Sequence, residues 1–190
     1  MSPARALILS WASPLLPIYL VLIRYAAEGS WRYEILDVGY KYNMTDLQAG
    51  LGRSQLAKCD VLREKRNRIA ETYTDALSDS DAYSTPWVPS HVQHAWHLYV
   101  LRVNADTLSI SRDEVIEELK KRGIGTSVHF IPVHTHPYYL ENLGTFLGQC
   151  PNAERHFEGA ISLPLFPDMT QEDTERVVEA LLDIARIHRR

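Results

Sequence analysis

Residues 45–77 read TDLQAGLGRSQLAKCDVLREKRNRIAETYTDAL and predict a long helical segment. Thr45 and Gln48 fit a capping box, in which each side chain satisfies a backbone N–H at the other residue. Apolar side chains then recur at broadly helical spacings, at Leu47, Leu51, Leu56, Leu62, Ile69, Tyr73 and Leu77. Asp60 could cap a second helix, so the pattern predicts either one long helix or two helices with a bend.

The region after this segment alternates strand and helix patterns. Residues 84–90 contain two prolines and predict a connection. Residues 95–103, AWHLYVLRV, are rich in aromatic and branched side chains and predict a strand. Residues 111–122 then predict a helix that starts at Ser111 and ends at Gly123.

Shorter elements are expected in the following forty residues. Residues 126–131 predict another strand, which the next proline closes. Residues 133–139, VHTHPYY, predict a loop and a short helical turn, and residues 152–158 predict a short helix. The apolar residues 161–167 are interrupted by prolines, so they predict a short strand or an extended segment.

The C-terminal residues predict a last helix. Thr170 and Asp173 fit a second cap, and the buried face would comprise Val177, Val178, Leu181, Leu182 and Ile184. Together, these patterns predict an α+β fold, in which a small sheet of few strands is covered by helices.

The start of the chain differs from the rest. The run Ala6–Ile23 contains 18 consecutive uncharged residues between two arginines. This length is the lower limit for a membrane-spanning helix. Pro14 and Pro17 lie in its middle, however, where each removes a helix hydrogen bond.

A secretion signal is also disfavoured, because Tyr25 occupies a position where a cleavage site needs a small residue. Three interpretations of this run stay open: a buried apolar segment, a weak anchor, or a start that does not belong to the domain. The first and third are favoured over membrane insertion.

Composition limits the class of protein without naming a function. The 190 residues are 45% hydrophobic and 23% charged, which is typical of a globular protein. Twenty Lys+Arg against 24 Asp+Glu leave a charge of -4, which gives no electrostatic reason to expect nucleic-acid binding. Cys59 and Cys150 form neither a disulfide framework nor a CxxC pair, so we expect a reducing, cytoplasmic setting.

Six of the eight histidines lie between residues 91 and 136. The three-residue spacing of His91, His94 and His97 would suit a metal site on a helix. His97 lies in the predicted strand, however, and no neighbouring carboxylate completes a known metal motif, so we predict no metal site. His129, between a glycine pair and a proline-bounded loop, is the histidine expected to face a functional site.

The block Gly39–Asp46, GYKYNMTD, combines two tyrosines, a cation and an amide at a helix start, where N–H groups favour anions. The alternative is a tyrosine-rich loop that packs on a neighbour. The chain contains no GxxxxGK[ST] phosphate loop and no GxSxG nucleophile elbow.

Four segments together resemble the sugar-nucleotide aminotransferases of the DegT/StrS family, over residues 28 to 187. They are the block from residue 39 through residue 77, then HAWHLYVLRV, RDEVIEELKKRGIGTSVHFIPVHTHPYY, and SLPLFPDMTQEDTERVVEALLDI. Among subfamilies, the chain looks most similar to the enzymes that make UDP-4-amino-4-deoxy-L-arabinose, and flagellin- and glycan-sugar aminotransferases are close behind.

The resemblance implies the C-terminal small domain of a pyridoxal-phosphate (PLP)-dependent, type I aminotransferase fold. Such a domain has a small, mostly antiparallel sheet covered by helices and a long linking helix. Residues 1–27 would form an atypical apolar segment that does not match the family. Residues 28–60 would form an interface loop and the start of the long helix, and residues 61–190 the small domain.

The resemblance further implies transfer of an amino group from glutamate to a keto group of a nucleotide-linked sugar, within a dimer. The loop that matches Gly39–Thr45 reaches the partner's cofactor phosphate, so Lys41, Tyr42 and Asn43 are candidate cofactor contacts. Many members have Asn where Lys41 stands and Arg or Lys where Asn43 stands, so the two group types are exchanged here. His129 matches the family's histidine near the sugar pocket.

The family's Schiff-base lysine lies in an SxHxxK-type segment that precedes the region matched here. This chain has five lysines, none in such a segment: Lys41, Lys58, Lys65, Lys120 and Lys121. We therefore expect a truncated or split aminotransferase, inactive alone, that pairs with itself or with a full-length or upstream-encoded subunit. The alternative is a non-enzymatic dimerisation or interaction module, and membrane association is not expected.

Overall fold

The computed structural model describes the backbone of residues 6–7, 20–25 and 33–39, and all atoms of residues 44–190. The chain divides into two compact units, Met1–Lys58 and Cys59–Arg190. The small domain that the resemblance implies, residues 61–190, stays a prediction.

The first unit contains an antiparallel sheet and one helix. The strands β1 (Ala6–Leu7), β2 (Leu20–Tyr25) and β3 (Tyr33–Gly39) lie in that order, with a bulge in β2. None of these three strands was predicted from the sequence, and in β2 the continuous apolar run LVLI lacks the alternation that marks a half-buried strand. None of the helices in the described part of the chain combines the length and apolarity that crossing a membrane requires.

Helix α1 (Asp46–Leu56) begins with the predicted capping box. The Gln48 N–H donates to Thr45 Oγ1 over 3.3 Å, and the Thr45 N–H donates to Gln48 Oε1 over 2.9 Å. Helix α2 (Cys59–Leu77) starts three residues after α1 ends. The open choice between one helix and two is therefore settled as two, with the second starting one residue before the predicted cap at Asp60.

The second unit continues through seven further helices and strands and a short 3-10 turn. In chain order, they are β4 (Tyr83–Ser84), β5 (Tyr99–Val103), α3 (Arg112–Lys121), the 3-10 turn Val133–Thr135, α4 (Pro137–Asn142), α5 (Pro151–Gly159), β6 (Ala160–Leu163) and α6 (Gln171–Ile187). Strand β5 lies between β4 and β6, and both pairings are antiparallel. The predicted α+β class with a small antiparallel sheet is confirmed.

The predicted strand at residues 95–103 is shorter than expected, because it starts at Tyr99. Trp96 has a φ of 46°, in the left-handed region, where an extended chain is impossible. Its N–H donates to His94 Nδ1 over 2.9 Å instead of to a neighbouring strand. His97 therefore lies before the strand, not in it.

The predicted strand at residues 126–131 is wrong. Only Ser127 pairs, in an isolated bridge in which Ser127 and Ser162 exchange both backbone hydrogen bonds. The next such pairs would be 125 with 164 and 129 with 160. Pro164 has no N–H, and the carbonyl of Ala160 already accepts from a side chain, so the ladder stops after one pair.

The core of the second unit lies between the sheet and the helices α2, α3 and α6. Its largest fully buried side chains are Tyr73, Leu77, Tyr99, Leu101, Leu108, Val115, Leu119, Ile161, Leu181 and Ile184. Burying one such aliphatic side chain contributes about 1.5–3 kcal/mol. The predicted buried face of α6 is confirmed except at Leu182, which is 41% exposed.

Two buried tyrosines keep their hydroxyl groups paired. Tyr73 donates to the carbonyl of Pro164, and Tyr83 donates to the carbonyl of Leu181, both over 2.9 Å. Burial raises the pKa of both phenols well above the ordinary value, because the charged form would lose its hydration. Both therefore act as neutral donors that tie α2 and β4 to the C-terminal part of the unit.

The junction between α5 and β6 requires a glycine. A Cβ at Gly159 would lie 2.9 Å from the carbonyl oxygen of Val103 on β5. The absent side chain thus allows α5 to end directly against the central strand, and it sets where β6 begins.

Gly159→Ala should destabilise the protein by about 1–3 kcal/mol, because the new methyl group overlaps backbone that cannot move without disturbing β5. Gly125→Ala is the matched control, since nothing lies within 4 Å of a Cβ built there. It should change the free energy of unfolding by less than about 1 kcal/mol. Urea denaturation of both variants checks this, and equal stabilities would contradict the role of the junction.

Candidate functional site

Strand β6 positions the candidate site, and side chains hold it at both ends. At its start, Arg112 Nη1 donates to the carbonyl of Ala160 over 3.0 Å. The same guanidinium lies 4.9 Å from the ring centre of Phe157, within cation–π range. Just beyond its end, Tyr73 donates to the carbonyl of Pro164. The backbone of β6 is thus fixed between two contacts from different helices.

His129 lies beside the middle of this strand. Its Nδ1 atom is 2.8 Å from Oγ of Ser162, a residue only 4% exposed. The bridge between Ser127 and Ser162 brings the two residues together, because it aligns the chain two residues before His129. The histidine is therefore held by a buried hydroxyl rather than by solvent.

The surroundings of His129 are half-open and partly apolar. The imidazole is half-buried, and the ring of Phe130 meets it edge-on, with 4.7 Å between the ring centres. Phe130 itself is 75% exposed. An exposed aromatic ring next to a fixed imidazole can contact a ligand with both apolar and hydrogen-bonding groups.

A second polar cluster fixes the segment that follows the site. His134 Nε2 and Glu154 Oε1 are 2.6 Å apart, which ties the 3-10 turn to α5. The Glu154 carboxylate also accepts backbone N–H groups from Gly148, over 2.9 Å, and from Cys150, over 3.4 Å. Hydrogen bonds to the Glu154 carboxylate thereby hold the two ends of the segment 134–154 together.

The pKa of Glu154 lies below its ordinary value. The hydrogen bond from His134 is the largest cause, and the N–H groups of Gly148 and Cys150 act in the same direction. Because the folded pKa is lowered, these contacts stabilise the loop at neutral pH. The stabilisation is lost as the pH falls through that pKa.

The other histidines do not form a metal centre within residues 44–190. That part of the chain contains no group of three histidine, cysteine or acidic side chains close enough to hold an ion. The His94 ring lies tilted against that of Trp96, with 4.2 Å between ring centres, and its Nδ1 atom accepts the backbone N–H of Trp96. His91 and His94 line a cleft of about 710 Å³ beside α2, which does not include His129.

The lysines of the described region lie on the surface. Lys65 pairs with Asp168, Lys120 with Glu117 and Lys121 with Glu118, at distances of 2.7–3.3 Å. All three have ammonium groups on the surface, and Lys58 is exposed as well. None of Lys65, Lys120 and Lys121 hydrogen-bonds His129, whose partner within residues 44–190 is Ser162.

The three cofactor contacts predicted from the sequence, Lys41, Tyr42 and Asn43, lie outside the described residues. They stay predictions. Helix α1, whose N-terminus follows them, is described from its cap at Thr45 onward, and none of its residues is buried.

The sequence analysis missed Ser162 as a site residue. It lies 33 positions from His129, in a strand whose other three residues are all apolar and buried. A small polar residue within such a run was the available signal, because a buried hydroxyl needs a hydrogen-bond partner.

Comparison with known proteins identifies the relationship. Residues 21–182 match the model of the DegT/DnrJ/EryC1/StrS aminotransferase family. An uncharacterized protein of Methanocaldococcus jannaschii is 50% identical over 166 residues, which is 87% of this chain and 43% of that protein. The spore coat polysaccharide biosynthesis protein SpsC of Bacillus subtilis is 45% identical over 164 residues, 86% of this chain and 42% of SpsC.

Solved structures agree on the fold. Spr1654 of Streptococcus pneumoniae, which carries the name of a sugar aminotransferase, is 32% identical in its PLP form, with a TM-score of 0.69. That match covers 84% of this chain and 40% of Spr1654. DesV of S. venezuelae, solved with a ketimine intermediate, is 28% identical with a TM-score of 0.69, over 83% of this chain and 41% of DesV. The chain thus spans less than half the length of the relatives it matches.

His134→Ala should raise the pKa of Glu154 toward the ordinary value, because it removes the largest cause of the lowered pKa. A carbon-detected NMR titration of the glutamate carboxyl groups measures this directly. Glu114, whose pKa is lowered by the N–H and hydroxyl of Ser111, serves as the internal control and should not move. An unchanged Glu154 titration in this variant would show that the two side chains do not pair in solution.

Proposed function

The chain belongs to the DegT/DnrJ/EryC1/StrS aminotransferase family, and we propose that it is the C-terminal part of a PLP-dependent sugar aminotransferase. The proposed reaction moves an amino group from glutamate to a keto group of a nucleotide-linked sugar. The match over residues 21–182 carries this proposal, since it includes the segment that holds His129 as well as the fold around it.

We assign His129 to the sugar. Its Nδ1 atom is occupied by Ser162, whereas its Nε2 atom has no hydrogen-bond partner among residues 44–190. Sugars present many hydroxyl oxygens, so a fixed ring nitrogen beside an exposed aromatic ring suits them. Two relatives named for sugar or polysaccharide synthesis, Spr1654 and SpsC, support this substrate class.

Bound PLP supplies an electron sink for the carbon atom that exchanges the amino group. We propose that Lys41, Tyr42 and Asn43 contact its phosphate, because a cation, a phenol and an amide precede the positive end of α1. The surface lysines of the described region do not supply the covalent attachment. The reactive lysine then comes from sequence outside this chain, and the 190 residues alone are inactive.

The proposed assembly is a homodimer or a complex with a full-length or upstream-encoded aminotransferase subunit, located in the cytoplasm. The product would be an amino sugar for a cell-surface polysaccharide or for lipid A. The name of SpsC, which refers to spore coat polysaccharide, supports a cell-surface polysaccharide as the destination of the amino sugar.

A second candidate function is a non-enzymatic interaction module derived from this family. The sequence favours it, because none of the five lysines of the chain lies in an SxHxxK-type segment. The two candidates differ in one respect: only the aminotransferase part restores amino transfer when it is joined to the missing region.

A chimera tests this difference. The segment of SpsC that aligns with this chain is replaced by the aligned residues of this chain, and unmodified SpsC is the control. We expect both SpsC and the chimera to transfer an amino group from glutamate to a nucleotide-linked keto sugar, measured by mass spectrometry of the product. A chimera that binds PLP by absorbance but transfers no amino group would contradict the proposal and favour the interaction module.

The origin of the reactive lysine is tested separately. After incubation with PLP and reduction by borohydride, the 190-residue chain should carry no stoichiometric adduct at any of its five lysines. The chimera should carry one, on a lysine from the SpsC portion. Peptide mass spectrometry locates the adduct, and a stoichiometric adduct on the 190-residue chain would show that one of its own lysines is reactive.

A further inference from the structure

The hydroxyl group of Ser162 is buried and makes a single hydrogen bond among residues 44–190. The backbone N–H and carbonyl of Ser162 are already paired with Ser127, over 2.7 and 3.2 Å. Its hydroxyl is bonded only to Nδ1 of His129 among residues 44–190. A buried hydroxyl that leaves its proton unpaired is costly, so this one contact decides where the proton lies.

A neutral imidazole carries its proton on one of two nitrogens, and the hydroxyl selects between them. If Nδ1 carried the proton, it would donate to Ser162 Oγ, and the serine proton would have no acceptor in the described region. If Ser162 donates to Nδ1, both groups are satisfied. The second arrangement leaves the imidazole proton on Nε2.

We propose that Ser162 is a positioning residue that holds His129 in the Nε2–H form, so that His129 donates a hydrogen bond to an oxygen of the substrate. Because Nδ1 faces β6, the ring directs Nε2 away from the strand. The matching ligand group is a hydrogen-bond acceptor, such as a keto or hydroxyl oxygen of a sugar. In this form Nε2 has no lone pair, so the neutral side chain cannot take a proton from the substrate there.

The assignment of the acceptor to a sugar depends on the proposed function, whereas the tautomer does not. The rigidity of β6 supports the positioning role. Arg112 and Tyr73 fix the carbonyls of Ala160 and Pro164, two residues before and two residues after Ser162. The position of Ser162 is therefore fixed by β6 and does not depend on His129. The serine hydroxyl in turn sets the orientation of the imidazole ring.

Nitrogen-15 NMR of the histidine side chains in the 190-residue chain tests the proposal. Spectra are recorded at a pH where His129 is neutral, without nucleotide, sugar or cofactor. A protonated and an unprotonated ring nitrogen have well-separated shifts, so the spectrum identifies the tautomer. We expect Nε2 to show the protonated shift and Nδ1 the unprotonated one.

Ser162→Ala should move the two nitrogen shifts toward each other, because the ring is then free to populate both tautomers. Ser127→Ala is the matched control, since Ser127 lies opposite Ser162 in the bridge but its hydroxyl makes no hydrogen bond within residues 44–190. It should leave both shifts in place.

Three results would overturn the inference. They are an unprotonated Nε2 in the unmodified chain, unchanged shifts in Ser162→Ala, and equal changes in both serine variants. None depends on amino transfer, so a failed chimera would remove the sugar as the acceptor without altering the tautomer. A functional chimera with an unprotonated Nε2 would keep the proposed function and reject the role of Ser162.

Discussion

The anchoring of β6 is the constraint on which the candidate site depends. Arg112 donates from α3 to the carbonyl of Ala160, at the start of the strand, and Tyr73 donates from α2 to the carbonyl of Pro164, just beyond its end. Gly159 lets α5 end against β5, so β6 starts at a fixed place. Ser162 lies between these contacts, and His129 depends on Ser162 for its orientation. The position of the His129 ring therefore depends on contacts that begin in the core of the unit and end at Ser162.

The sequence predicted the features that depend on residues close together in the chain, such as the helix caps. The caps at Thr45, Ser111 and Thr170 were readable because each hydrogen-bonds a residue three positions later. The strand expected at residues 126–131 failed because its ladder depends on Pro164 and Ala160, more than thirty residues away. Ser162 was missed for the same reason, since only the folded chain shows that its partner is His129.

The structure also separates two kinds of chemistry that a complete enzyme would combine. The described region holds a fixed histidine beside an exposed aromatic ring, which suits recognition of a polar ligand. Its lysines lie on the surface, three of them in ion pairs. We therefore propose that this chain recognises the sugar and that the reactive amine comes from another sequence.

The most direct test of this division measures the two half-reactions of the SpsC chimera separately, with and without His129→Ala. The rate of the glutamate half-reaction, followed without sugar, should not change, because the proposal assigns His129 to the sugar and not to the amino donor. The KM for the keto sugar should rise about 3- to 10-fold, as expected for one lost hydrogen bond. Equal losses in both half-reactions, or no change in the KM for the sugar, would contradict the account.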